Sequence, residues 1–327
     1  MPEAQPVLEV EGLGIAINGL PTVDGLSLSV GRGETVALVG ESGCGKSISA
    51  LAVMGLLPGV ANRTDGHIRL EDQDLTALDE PAMAKLRGDA MAMIFQEPTS
   101  SLNPLMRVGH QITESLEIHR GLSGRRARQA ALDMLDQVGI PNPETRYDQF
   151  PFELSGGMCQ RIMIATALIC EPRLLIADEP TTALDVTIQA QILELMKRLR
   201  EETGTALLLI THDMGVVADM ADRVVVMYAG RAVETADVDD LFDRQGHPYT
   251  RLLMGSIPTL DGARKTRLAA IPGTVPDIAN WPEGCRFAPR CPLASDICGT
   301  TQPSLTAFAG PSHRSACHHA NAVESLT

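Results

Sequence analysis

The octapeptide Gly40-Glu41-Ser42-Gly43-Cys44-Gly45-Lys46-Ser47 constrains this chain more than any other stretch, because it fills every position of G-x-x-x-x-G-K-[ST]. Before it, Thr35-Val36-Ala37-Leu38-Val39 is a compact apolar run that reads as a buried strand, and after it Ser47 to Leu57 has helical character. In a strand, glycine loop and helix taken in that order, backbone N–H groups wrap phosphate oxygens and the helix turns its positive end toward them. Lys46 is placed to neutralise the β- and γ-phosphates and Ser47 to ligate Mg²⁺. Cys44, inside the loop, reads as a small filler rather than a reactive thiol. A chance glycine turn would not need the flanking strand and helix.

A second acidic element is Leu174-Leu175-Ile176-Ala177-Asp178-Glu179. An apolar strand ending in two carboxylates delivers both to the carboxyl edge of a sheet, where ligands of α/β folds sit. Adjacent side chains point different ways, so the two acids take different tasks: Asp178 orients Mg²⁺ and Glu179 polarises an attacking water. Alone, such a strand end is as easily a solvated acidic turn. Together with the glycine loop it implies a nucleoside triphosphatase.

Strand-like runs alternate with helical ones along most of the chain, which predicts a mainly parallel sheet covered on both faces. Met91 to Phe95, Leu174 to Ala177, Ala206 to Ile210 and Val224 to Tyr228 are further strand candidates. Between about 98 and 165 the pattern turns helical, including a helix from Ser123 to Val138 stopped by Gly139 and Pro141, and reads as an insertion. From about 256 the chain is rich in Pro, Gly and Cys and weakly periodic, which predicts a small appendix with little core of its own. The net charge of −14 opposes nucleic-acid binding by bulk phosphate neutralisation. The longest mainly apolar run, Ile162 to Cys170, has nine residues with Thr166 among them, short of the roughly 18 to 20 that a spanning helix needs. The start, Met1-Pro2-Glu3, lacks the basic and apolar regions of a secretion signal, so a cytoplasmic chain is expected.

Leu154-Ser155-Gly156-Gly157-Met158-Cys159-Gln160-Arg161 narrows the class. Physically it is another anion cradle, a serine hydroxyl and glycine N–H groups at the start of an apolar helix. Here the chain resembles the ATPase subunits of ATP-binding cassette transporters, whose signature is L-S-G-G-[QM]. It begins 108 residues beyond Lys46 and shortly before Asp178 and Glu179. Gln96, Ala183-Leu184-Asp185 and His212 match, in order, that family's glutamine, aspartate loop and histidine switch. The resemblance covers about residues 7 to 255. It implies an α/β fold, with a P-loop NTPase core (a RecA-like mixed, mainly parallel sheet), an antiparallel β portion at the N-terminus and the inserted helical subdomain. Residues 1–255 would form the ATPase domain and 256–327 a Cys-rich C-terminal extension.

The resemblance also implies roles. Glu179, His212, Gln96 and Lys46 are the expected catalytic group. ATP is expected against the glycine loop, Ile17 and Asp185, with Ser155, Gly156 and Gly157 acting on ATP held by a second subunit, and Mg²⁺ on Ser47, Gln96 and Asp178. One position departs from the family: where it commonly stacks an aromatic on adenine, 29 residues before the loop lysine, this chain has Ile17. An apolar contact without an aromatic face predicts weaker discrimination of the base.

Longer phrases resemble the dipeptide and oligopeptide importer branch, which includes nickel importers. They are Phe95-Gln96-Glu97-Pro98-Thr99-Ser100-Ser101-Leu102-Asn103-Pro104, the stretch Leu174 to Thr187, Gly246-His247-Pro248-Tyr249-Thr250 and Gly284-Cys285-Arg286-Phe287-Ala288-Pro289-Arg290-Cys291-Pro292. The branch implies two transmembrane permease subunits, docked around residues 97 to 115, a second ATPase subunit similar to but distinct from this one, and an extracytoplasmic substrate-binding protein. The place implied is the cytoplasmic face of the cell membrane. A nickel or other small-solute importer is the nearest alternative; a soluble DNA-repair or chromosome ATPase is the alternative of another class, opposed by the short spacing between motifs and by the acidic charge. Cys285, Cys291, Cys298 and Cys317 are spaced C-x₅-C-x₆-C-x₁₈-C, unlike paired zinc ligands. They are candidates for a [4Fe–4S] cluster, with unliganded structural thiols and zinc as the other readings. His313, His318 and His319 are read as surface residues, and Arg125-Arg126-Ala127-Arg128 as a solvated helix start.

Overall fold

The computed structural model describes residues 5–181, 185–256 and 271–326. The chain divides into two compact units: one holds the chain up to Leu8, Val30–Glu34 and Leu70–Ile210, the other Glu9–Ser29, Thr35–Arg69 and everything from Thr211 on.

In the first unit, strands Met91–Ile94, Leu174–Asp178 and Ala206–Thr211 are buried at every position. They run parallel, with Met91 opposite Leu174 and Leu174 opposite Ala206. Burial on both faces removes any reason for polar alternation, which is why these strands are apolar up to their carboxyl ends, where Asp178 and Thr211 stand. The helical stretch is built from Val108–Arg120, Gly124–Gln137, Pro143–Tyr147 and Gly156–Leu168. At Gly109 a Cβ would stand 2.3 Å from the ring of Tyr147, so two helices meet where one has no side chain. Arg128 lies over that ring at 4.3 Å and Ala127 is buried, so the basic run is a packed helix start as well as a solvated one. Gln111 ties down the segment before these helices: it accepts from Asn103 N at 2.9 Å and donates to Asn103 O and Met106 O at 3.0 and 2.9 Å. Leu105, between those two anchors, is 85% exposed.

The second unit begins with strands Leu8–Ile17 and Leu20–Val30, neighbours joined by two residues and therefore antiparallel. Asn18 and Gly19 both have positive φ, 50° and 79°, as the tight hairpin turn between right-twisted strands demands. Ala61–Leu70 flanks the first of these strands. Thr35–Val39, wholly buried, runs parallel to Arg223–Tyr228, and Arg231–Asp237 folds back antiparallel on the latter. The tail adds Arg314–Ser315 to that edge, with Glu234 opposite Ser315, and Thr306–Ala307 beyond it.

Two features fasten the tail. Tyr228, Tyr249 and Phe287, all buried, form an aromatic cluster with centroids 4.8, 5.0 and 5.5 Å apart. Glu234, fully buried, accepts from the N–H groups of Gly246 and His247 and lies 2.8 Å from His313 Nε2. His313 is thus no surface residue: a buried carboxylate needs partners, and the tail supplies one. His318 and His319 are half-buried, His319 bonding Ser295 Oγ at 2.7 Å. The hydrophobic residues of the tail are consequently part of a core shared with the strands, as Phe287 in that cluster demonstrates.

Candidate active site

The glycine loop follows the strand Thr35–Val39 and opens the helix Lys46–Val53. Gly40 has φ 150°, and a Cβ there would lie 2.3 Å from Met227 O and 2.9 Å from Cys44 Sγ, so only glycine fits. Gly45, at φ 104°, is the helix N-cap and brings no side chain to the helix's N-terminal N–H groups. Lys46 is buried and folds over the loop, its Nζ donating to Gly40 O at 2.7 Å and Glu41 O at 3.1 Å. The loop is closed from outside as well: Gly230 N donates to Cys44 O at 3.0 Å and Glu41 N to Tyr249 Oη at 2.8 Å. Burial pushes the Cys44 thiol and the Tyr249 phenol up, so both stay protonated, and Cys44 is the inert filler its size predicts.

In the other unit, Asp178 ends a buried strand, is itself buried, and is followed by Glu179 with φ 47°. That left-handed backbone is unusual for a residue other than glycine. It leaves Glu179 N donating to Ile210 O at 2.9 Å while the carboxylate receives Gln96 Nε2 at 3.0 Å on Oε2. Gln96 and Glu179, separated by 83 residues, therefore meet. Ser155 is the N-cap of the helix Gly156–Leu168, its Oγ accepting from Met158 N at 3.4 Å, and both Ser155 and Gly156 are exposed. Asp185 caps the helix Val186–Thr203 through Thr187 N and Ile188 N; Ala183 and Leu184 lie outside the described residues. His212 is exposed after the strand Ala206–Thr211, and Ile17 ends a strand half-buried.

The contacts of three residues of this machinery escape motif reading. Gln160, buried in the signature helix, donates to Pro180 O at 2.6 Å and so links that helix to the turn after Glu179. A glutamine inside an otherwise apolar stretch is the signal that could have found it. Tyr249 and Arg290 act on the glycine loop from more than 200 residues away, and the branch phrases that contain them give no sign of that contact.

The expectation of an iron–sulfur site at the four tail cysteines finds no support in the structure. Among the described residues no group of three or more His, Cys, Asp or Glu is arranged to hold a metal ion. The thiols are neighbours: Cys285 N donates to Cys298 O at 2.8 Å, Cys298 Sγ lies 3.7 Å from Ser295 Oγ, and Cys317 Sγ accepts from His319 N at 3.3 Å. Burial raises Cys285 and Cys291 and pushes Cys317 up to about 12, and the neighbouring tail thiols add to each of these shifts. Cys285 and Cys291 pack against the aromatic core.

A glycine cradle with a buried lysine, a strand-end carboxylate pair and a serine-capped Gly-Gly helix define the class, a P-loop nucleoside triphosphatase. The family model for ABC transporters matches residues 23–182, and that for the C-terminal region of oligopeptide/dipeptide transporters matches residues 233–298. The chain belongs to the ABC transporter ATPases, in the branch that carries this C-terminal region. It is 56% identical to the oligopeptide transport ATP-binding protein AppD of Bacillus subtilis, over 88% of this chain and 87% of that one. A putative peptide import ATP-binding protein of Brucella abortus is 50% identical over 96% and 97%. Among solved structures, the dimeric ATP-binding cassette MJ0796, in a post-hydrolysis state with ADP and Pi, matches with a TM-score of 0.64 and 27% identity, over 71% of this chain and 98% of the other.

Proposed function

We propose that the chain is the ATP-hydrolysing subunit of a peptide importer, and that hydrolysis drives import through separate membrane subunits. The observation that carries the chemistry is the bond from Gln96 Nε2 to Glu179 Oε2. A carboxylate held by a carboxamide, on a backbone that accepts strain to aim it, suits a group that must orient and polarise a water. Lys46 and the loop N–H groups bind the β- and γ-phosphates, and His212 and Gln96 respond to the γ-phosphate. Ser47, Gln96 and Asp178 offer hydroxyl, carboxamide and carboxylate oxygens, the hard donor set that Mg²⁺ takes, and would hold it; the ion's part is to shield phosphate charge. Exposure of Ser155 and Gly156 supports their action on ATP bound by a second subunit, as does the dimeric relative bound to ADP and Pi. That subunit is read as a similar but distinct chain.

The family's transport role and the absence of any helix long and apolar enough to cross a membrane, among the described residues, support peripheral attachment at the cytoplasmic face. The segment around residues 97–115, anchored by Gln111 and presenting Leu105, is read as the dock for the two permeases, which an extracytoplasmic peptide-binding protein supplies. Residues 1–255 are assigned to the ATPase domain and 256–327 to the extension. Peptide cargo is favoured over nickel by the names of the relatives.

Glu179→Gln tests the chemistry. ATP binding should persist while turnover falls by about two to three orders of magnitude, as loss of a positioned base predicts; normal turnover refutes the assignment. Co-purification from membranes, with identification of every bound chain, tests the transport role.

A further inference from the structure

The roles above leave unused the ion pair closest to the phosphate loop. Glu41 is carried on the loop itself, and Arg290 of the tail grips its carboxylate with two parallel bonds, Nη1 to Oε2 at 2.7 Å and Nη2 to Oε1 at 3.0 Å. The Arg290 side chain is 4% exposed and that of Glu41 30%. Every N–H of the guanidinium has an acceptor: Nε donates to Pro272 O at 2.8 Å, Nη1 also to Tyr228 Oη at 3.3 Å, and Nη2 also to Ile271 O at 3.4 Å. The fork is therefore fixed before any ligand arrives. The short loop that carries it is pinned at its other end, where Arg286 donates to Ala229 O at 2.6 Å, pairs with Asp24 and lies 3.6 Å over Trp281.

A bare carboxylate on a loop built to receive a triphosphate would repel it, and near a partly buried site water screens such repulsion poorly. We propose that Arg290 is a positioning residue for the nucleotide: it neutralises the Glu41 carboxylate and holds it aside, so that the loop can receive a polyanion. The bond from Glu41 N to Tyr249 Oη fixes the backbone of the same residue, so its side chain and main chain are both held. The inference rests on Gly40–Ser47 being the phosphate cradle.

The test is equilibrium binding of a fluorescent ATP analogue with Mg²⁺ to the full-length chain. Arg290→Gln, which leaves Glu41 charged and unpaired, should weaken binding about tenfold, and adding Glu41→Gln to that variant should restore it to within about threefold of the parent. Glu41→Gln alone, leaving Arg290 as a net positive charge beside the loop, should bind about threefold more tightly. If Arg290 were only a brace, both variants lacking the carboxylate would bind weakly, and that result overturns the proposal, as does unchanged affinity in Arg290→Gln. Should Arg290→Gln fail to fold, Glu41→Gln alone decides: tighter binding supports the proposal, unchanged or weaker binding ends it. Lys46→Ala separates the two levels. Retained binding there removes the cradle itself, whereas lost binding with an indifferent Arg290→Gln removes only the role of Arg290.

Discussion

The glycine loop and the serine-glycine turn both stand at helix starts, yet they are held in opposite ways. Around the loop, Gly40 has no room for a methyl group, Lys46 is buried, Tyr249 and Gly230 hold the backbone, and Arg290 grips Glu41. The serine-glycine turn is exposed at Ser155 and Gly156, with one long cap bond at 3.4 Å and nothing within 4 Å of a Cβ at Gly156. A surface completed within one chain can be rigid in advance. A surface that must meet another molecule stays bare, and its worth shows only in the assembly.

Four substitutions can break or sharpen that contrast. Gly40→Ala should be the most damaging: its Cβ meets a backbone oxygen that cannot yield, which should cost about 3 kcal/mol or more and abolish nucleotide binding. Thermal melting with a binding assay checks it, and a variant that melts and binds like the parent contradicts the packed loop. His247 comes next. Burial lowers its pKa to about 3 while its Nδ1 accepts from Tyr249 N at 3.1 Å. The unfolded chain takes up a proton below about pH 6.5 that the fold refuses until about 3, so the stability this site contributes is complete above 6.5 and is lost as pH falls. His247→Asn keeps an acceptor without the titration, and the gap between variant and parent stability should change by about 3 kcal/mol from pH 7 to pH 4. Parallel pH profiles in denaturant melts would count against this.

Tyr249→Phe removes the acceptor of Glu41 N and should cost about 1 to 2 kcal/mol, with a matching loss in nucleotide affinity measured by titration. Ser155→Ala should scarcely move stability, by less than about 1 kcal/mol, and leave nucleotide binding to the single chain intact while turnover of the assembled pair falls. A large stability loss at Ser155, or no change at Tyr249, would erase the distinction between the braced cradle and the bare one.

The strands and the main motifs were legible in sequence for a shared reason. Burial on two faces writes apolar runs such as Leu174–Asp178, and phosphate chemistry needs neighbouring residues in a fixed order. Gln96 and Glu179 were each readable, but their bond was not, because it depends on parallel strands placing two distant ends together. Arg290 and Tyr249 were invisible as partners of the loop because the tail has no period to betray its buried face. The same lack hid His313, whose burial follows from Glu234 and not from its own neighbours. Four cysteines close in sequence did come close in space, Cys317 beside the other three.

The reach between Glu41 and Arg290 has a consequence for how the chain is made. The two lie 249 positions apart, which at about 5 to 20 residues per second separates their synthesis by roughly 12 to 50 s. The loop leaves the ribosome first and waits for its guanidinium until those 249 positions have been made. Until then a nascent chain carries the glycine pattern without its clasp, and on the role proposed for Arg290 full ATP capture awaits that segment.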